Sequence, residues 1–308
     1  MRLYTAKIKD KAKLQLTISM FLFGTIGIFR RYIPLPSDLI ALVRGFVGML
    51  FLLMVLVVTK KHISWKQIKK NGIYLILSGV LLGFNWILLF EAYRFTSVAT
   101  ATVCYYMAPV FVLLVSPFLL KEARSSKQTI CIVMALLGMV LVSGVIPIGQ
   151  TADAGNITKN GTIKGILLGL AAAVFYAGIV ILNKKLKEIS AYDRTIVQLG
   201  ISAIVLLPYT LMQESETMLT FTPTIILLLA VVGIVHTGIA YTLYFGSMEY
   251  LKAQTVALFG YIDPIVAILL STLFLKEKMD ILEIIGAVMV LGATIWCETN
   301  KAPTSAGA

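Results

Sequence analysis

Continuous apolar runs of about twenty residues recur along the whole chain, and they limit its possible folds more than any other feature. Ten segments qualify, at 14–33, 38–58, 72–93, 97–120, 128–146, 164–183, 194–212, 224–249, 253–275 and 279–297. A run of that length crosses the roughly 30 Å hydrocarbon core of a bilayer as a helix. In lipid every backbone N–H and C=O must find its partner inside the protein, which leaves helices and closed barrels. These runs do not alternate polar with apolar residues as barrel strands do, so helices are expected. Composition agrees: 58% of residues are hydrophobic and 14% charged, against roughly 25% charged in a soluble domain. An all-α integral membrane protein of ten transmembrane helices is the expectation. The basic N-terminus leads into the first run without a small-residue cleavage site, so that run reads as a span rather than a signal peptide.

The formal net charge is +12, which in a soluble chain would point to nucleic acid. Its distribution gives another reason. With the N-terminus placed in the cytoplasm, 19 of the 27 Lys and Arg fall in cytoplasmic segments, 7 on the other side, and Arg44 within a span. Basic residues near short loops stay inside, so both termini are expected in the cytoplasm and no nucleic-acid partner is expected. Cys104, Cys131 and Cys297 lie within apolar runs and read as small buried hydrophobes, not as a disulfide framework.

One stretch occurs twice. Leu88 to Glu122 aligns without a gap on Leu243 to Glu277 at an offset of 155 residues. Identities include Phe90/Phe245, Thr100/Thr255, Tyr106/Tyr261, Pro109/Pro264, Ser116/Ser271 and the pairs Lys121-Glu122/Lys276-Glu277. The chain therefore divides into a first five-helix repeat at 1–150, a polar linker at 151–163, a second repeat at 164–300 and a tail at 301–308. An odd number of spans per repeat turns the second copy over in the membrane. Inverted repeats with a site near the midplane are a building plan of secondary transporters.

The residues that carry the repeat also resemble a known family. FEAYRFTSVATATVCYYMAPVFVLLVSPFLLKE, followed by ALLGMVLV, and its partner GYIDPIVAILLSTLFLKEKMDILEIIGAVMVLGA are similar to the fourth-span signature of the drug/metabolite transporter superfamily, EamA type. Arg44, in IALVRGFVGMLFLL, matches an arginine often found in span two of such proteins. The resemblance covers nearly the whole chain. It implies ten helices, a central cavity lined largely by spans three, four, eight and nine, and alternating access. It also implies small metabolites or amino-acid-like compounds as the solute class, with export commoner than import. Lys121 and Lys276 depart from the glycine many members carry before the Glu.

Several residues could carry the chemistry. Pro109 and Pro264 stand mid-span, where proline removes a donor and frees the carbonyl four residues back, here that of Tyr105 or Gly260. Such a helix break can offer backbone groups to a solute, or only shape packing. Asp263 is costly at that depth, roughly 2.5–3.5 kcal/mol on insertion scales. It is a candidate proton carrier or cation counter-ion, or else a cap for a broken helix. Glu91 could line the outer mouth or pair with Arg94. Arg44 could meet a substrate carboxylate with its two-pronged guanidinium, or pair with Asp38. His236 could take up a proton, or bond a neighbouring helix. Thr102, Tyr106 and Pro109 share a helical face, as do Ala257, Tyr261 and Pro264. Asn85 and Trp86 in span three, Tyr241 and Tyr244 in span eight, and Tyr105 complete the candidates for a mostly apolar cavity with a few placed polar groups. Gly79/Gly83 and Gly165/Gly169 have the spacing of close helix contacts.

With two histidines, no HExxH, no Cys/His cluster and no Gly-rich phosphate loop, the chain is not expected to be an enzyme or to hold a metal or cofactor. The expected function is secondary transport of a small metabolite or amino-acid-like solute across the plasma membrane, in the direction of export. Protons are the candidate coupling ion, and the lipid bilayer is the solvent. Uptake of a small organic cation or amine is the alternative within transport. A non-transporting scaffold or a lipid-handling protein is the alternative outside it. The sequence leaves the oligomeric state open.

Overall fold

A computed structural model of the chain describes residues 2–96, 98–122, 125–142, 159–213, 221–275 and 281–299. Most of the expected linker, Lys276, Glu277 and the tail at 301–308 lie outside the described residues. Among the described residues the regular secondary structure is helical. The helices are α1 (Arg2–Arg31), α2 (Ser37–Val58), α3 (Trp65–Lys70), α4 (Gly72–Phe95), α5 (Val98–Tyr105), α6 (Ala108–Leu119) and α7 (Ser126–Val142). They continue as α8 (Lys159–Lys185), α9 (Ala191–Met212), α10 (Pro223–Gly233), α11 (Ala240–Met248), α12 (Ala253–Phe259), α13 (Ile262–Leu275) and α14 (Ile281–Thr299). A π-helical turn, Ile234–Ile239, joins α10 to α11.

Seven helical stretches are long and apolar enough to cross a membrane: Lys7–Arg30, Ser37–Val58, Gly72–Phe95, Thr100–Leu119, Ile163–Lys185, Ala191–Met212 and Pro223–Met248. The other three expected spans hold shorter apolar helices among the described residues, at Ser126–Leu141, Ala253–Ala267 and Ile284–Cys297. The second of these is interrupted by its own break after Phe259. Two further differences have simple causes. Helix α1 starts well before residue 14, because lysine is a good helix former and its charge can stay in water while the helix continues. The short α3 was not expected; it carries three of the loop's lysines and an exposed Trp65, a composition suited to a membrane interface.

The outer surface is apolar. Phe118, Met212 and Leu211 are 84%, 83% and 75% exposed, side chains that water would drive inward and lipid accepts. Inside, α4 packs on α8 and α9, α2 on α9 and α10, α1 on α11 and α13, and α7 on α14. The glycine contacts read from the sequence are here. A Cβ on Gly79 would stand 2.8 Å from the Ile201 Cβ, and one on Gly83 2.7 Å from that of Val205, so α4 meets α9 where only hydrogen fits. Gly165 and Gly169 likewise abut Thr96 and Cys104.

The same contact recurs with its partners exchanged. Gly233 abuts Val47 and the Arg44 carbonyl, just as Gly79 abuts Ile201 and the Gln198 carbonyl. Each of these residues is 154 positions from its counterpart. Gly238 abuts Phe51 and the Gly48 carbonyl as Gly83 abuts Val205 and the Ser202 carbonyl. Gly79 and Gly83 are four residues apart, Gly233 and Gly238 five. The π-helical turn takes up the additional residue, since a π-turn holds one residue more than an α-turn. After it the offset is 155, the value found for the duplicated stretch.

Candidate functional site

Both copies of the duplicated stretch break within one residue of the same place. The first stops at Tyr105 and restarts at Ala108; the second stops at Phe259 and restarts at Ile262. The restart puts Pro109 and Pro264 in a first helical turn, where a missing N–H costs nothing. It also brings Asp263 to the start of α13, where the helix dipole favours an anion. The carbonyl that gains a partner is one residue past the one expected: the Tyr261 hydroxyl donates to the Tyr106 carbonyl at 2.9 Å. Gln254 on α12 donates to Ser116 near the end of α6 at 3.1 Å. Both oxygens of Glu122, beyond α6, accept from the Ala253 N–H at the start of α12. The two broken helices thus cross in opposite directions, and the counterparts Tyr106 and Tyr261 meet where they cross.

At this crossing lies a cavity of about 310 Å³. Of the expected residues it collects Asp263, Arg44, Trp86, Thr102, Tyr105, Tyr106, Tyr241 and Pro109. Arg44 and Asp263 are its charged lining groups among the described residues. Arg44 does not pair with Asp38; its guanidinium lies 4.4 Å above the Trp86 ring, a cation–π contact. Its Nε is buried with no hydrogen-bond partner among the described residues. No ion pair joins Arg44 to Asp263 among the described residues. An arginine and an aspartate therefore face one aromatic chamber with no ion pair between them among the described residues.

The chamber has a direction. A second cavity of about 270 Å³ shares Ile26, Arg44, Phe90 and Tyr93 with it and continues to Arg30, Ile33 and Ser37, where α1 turns into α2. At the other end the hydroxyls of Tyr176 and Tyr244 are hydrogen-bonded to each other, and the Tyr105 ring lies 5.7 Å from that of Tyr176. These tyrosines form a floor.

Five expected residues lie off the lining. Asn85 donates to the Ala172 carbonyl at 2.7 Å and ties α4 to α8. His236, in the π-helical turn, bonds Thr25 through Nε2 at 2.8 Å and meets the Phe29 ring edge-on. Glu91 accepts from Arg94 at 2.9 Å and from Tyr209 at 2.6 Å. Tyr261 is fully buried and Pro264 lies behind Asp263 in α13. Conversely, sequence reasoning missed Tyr176, Phe23 and Tyr93 on the lining. Tyr176 had a signal: it is a lone tyrosine in the small-residue run AAAVFYAG. Phe23 is one phenylalanine among many in a lipid-length run and had none.

Comparison with known proteins follows the same halves. Residues 11–144 and 163–297 match a family described as "EamA-like transporter family". The uncharacterized transporter YxxF of Bacillus subtilis (strain 168) is 31% identical over 293 residues, covering 93% of this chain and 89% of that one. Protein RarD of Salmonella typhimurium is 26% identical, covering 81% of each chain. A solved crystal structure superposes with a TM-score of 0.79 at 17% identity, covering 93% of this chain and 97% of its own, a likeness of fold.

Proposed function

The chain belongs to the EamA-like transporter family, and from that premise we propose that it moves a small, amino-acid-like metabolite across the plasma membrane by alternating access, in the direction of export. Several of its relatives are named transporters. The observation that carries the proposal is that Arg44 and Asp263 line one chamber with no ion pair between them among the described residues. A zwitterion offers a carboxylate to the free edge of Arg44 and an ammonium to Asp263, while the aromatic walls accept its side chain. The volume sits at the lower end of the roughly 300–1,000 Å³ of small-molecule sites.

Alternating access needs two states of similar energy, and an inverted repeat offers them. Three observations support an inverted repeat. The broken helices cross in opposite directions, their counterpart tyrosines meet at the crossing, and the glycine contacts of α4 on α9 recur as α10 on α2. We place both termini in the cytoplasm from the distribution of Lys and Arg, so that the chamber's mouth faces outward. Asp263 is the proposed site of proton coupling, by its depth and its lack of an ion-pair partner among the described residues.

Uptake of an organic cation is a second reading that uses Asp263 and the aromatic walls; a cationic Arg44 on the same lining weighs against it. The test is reconstitution in liposomes with a labelled amino-acid panel and an imposed pH gradient. Saturable movement of one class of zwitterion supports the proposal. Movement of amines alone supports the second reading. Exchange of lipid between leaflets without solute movement would sink both.

A further inference from the structure

Away from the mouth, three charged side chains from three different places close on one turn, the one joining α11 to α12. The Lys184 ammonium, at the end of α8, donates to the carbonyls of Met248 at 3.1 Å and Leu251 at 2.6 Å. The Arg194 guanidinium, in the first turn of α9, donates to the Phe245 carbonyl at 2.7 Å, and the residue is 1% exposed. Both cations thus sit on the final turn of α11, where unpaired carbonyls concentrate negative charge. On the other side of the turn, Glu122 takes the first N–H of α12 with both oxygens at 3.1 Å, an anion on a helix N-terminus. Neither Lys184 nor Arg194 forms an ion pair among the described residues. Immediately above this turn stand Tyr244 and Phe245, fully buried; Tyr244 belongs to the chamber floor.

The mouth holds the matching cation in a different arrangement. Arg30 ends α1 as Lys184 ends α8, 154 residues later, and α2 and α9 begin at the same spacing. Arg30 donates to its own turn, to the Ile33 carbonyl at 2.8 Å and the Ser37 hydroxyl at 3.3 Å. Among the described residues it does not reach the end of a neighbouring span. At the open end the cation is turned back; at the closed end its counterpart grips a helix end across the bundle. One repeat position therefore shows both arrangements in a single structure.

We infer that Lys184, Arg194 and Glu122 form the latch of the inner gate, which must release the α11–α12 turn before the chamber opens on that side, and that Arg30 supplies the corresponding cation when the outer end closes. The inference rests on the alternating-access reading above. Its bonds suit a switch. Each joins a side-chain charge to a backbone dipole.

The test uses the full chain in liposomes with Ser247→Cys, a conservative change at a fully buried position in the gripped end of α11. A membrane-impermeant maleimide is supplied on the Lys184 side, and labelling at each thiol is read by mass spectrometry. Glu122→Gln and Lys184→Gln should each raise the labelling rate about tenfold, the change that loss of one charge-assisted hydrogen bond brings. Glu122→Gln retains an acceptor for the Ala253 N–H and is the variant least able to disturb folding. Arg30→Gln should lower the rate, because it weakens the opposite state. The native Cys131, buried where α7 meets α14, should stay unreactive throughout, which separates opening from unfolding. Unchanged labelling in both inner variants, a rise in Arg30→Gln, or parallel labelling of Cys131 would overturn the inference. Labelling needs no solute, so faster labelling in a protein that carries none of the panel refutes the transport reading and leaves the gate standing. Saturable transport with unchanged labelling does the reverse.

Discussion

At Ala108 the first broken span presents a methyl group to the chamber; 155 residues on, the second presents the Asp263 carboxylate. Around these two positions the spans share one plan: a short helix, a break, a proline in the next first turn, and a tyrosine between. The tyrosines have nonetheless diverged in use. The hydroxyl of Tyr261 is engaged by the Tyr106 carbonyl and its ring is fully buried, while the side chain of Tyr106 lines the cavity. The shared features are those that hold a broken helix in lipid, where a freed carbonyl needs a partner. The unlike ones face the chamber. A carboxyl group in one copy only makes the chamber lopsided, and on the proposed function a bound solute would have one preferred orientation.

The hardest test of that division is Asp263→Asn, which keeps shape and removes charge. Solute uptake should fall about tenfold or more, the loss that follows when a charged partner worth roughly 1.5–3 kcal/mol is removed, and the solute-induced rise in melting temperature should shrink with it. Any response to an imposed pH gradient should go with them. Melting without solute should hold or rise, since a costly charge has left the membrane interior. Parent-like uptake with an intact pH response would show that the unlike pair at 108 and 263 is not where the chemistry lies.

Next in size is the tyrosine pair. Tyr261→Phe strands the Tyr106 carbonyl at the crossing and should cost about 1–3 kcal/mol of stability, read by unfolding in mixed micelles. Tyr106→Phe removes a hydroxyl from the lining and should leave stability nearly unchanged while weakening the solute-induced shift. Equal stability losses in the two would mean the copies have not divided frame from chamber.

How much of this was legible beforehand depended on whether a signal is local. Span-length apolar runs and identities at a fixed offset are one-dimensional, and so is the steric rule of proline; the apolar helices, the duplicated stretch of sequence and the place of the breaks could be read directly. Asp263 and Arg44 stood out because a charge inside such a run is conspicuous. Arg44's partner was another matter. Stacking on Trp86 rather than pairing with Asp38 depends on how α2 and α4 are placed side by side. Asn85 and His236 show the same limit from the other direction. A polar group in a span must find a partner, but the run does not say whether that partner is a helix or a solute; here the Ala172 carbonyl and Thr25 are found. The π-helical turn was hidden because one more residue in an apolar run carries no mark. It becomes visible when Gly79/Gly83 are set against Gly233/Gly238 and their partners.

The smallest effect is expected at the other unlike pair, Glu91 and Gly246. Gly246 cannot carry a larger side chain easily, since a Cβ there would stand 3.0 Å from that of Ala191 at the start of α9. Glu91 is free of that constraint and sits with Arg94, whose side chain is 59% exposed. A pair this accessible is worth roughly 0.2–1 kcal/mol and is screened by salt. Glu91→Gln also keeps an oxygen for the Tyr209 hydroxyl. Initial uptake rates should stay within about twofold of the parent, and any difference should shrink on going to about 1 M salt, where the Debye length is near 3 Å. If instead Glu91→Gln abolished uptake as Asp263→Asn is expected to, at low and high salt alike, the division drawn at 108 and 263 would be too narrow. Both unlike pairs would then belong to the transport path, and the solute's route would run past the mouth carboxylate as well as the buried one.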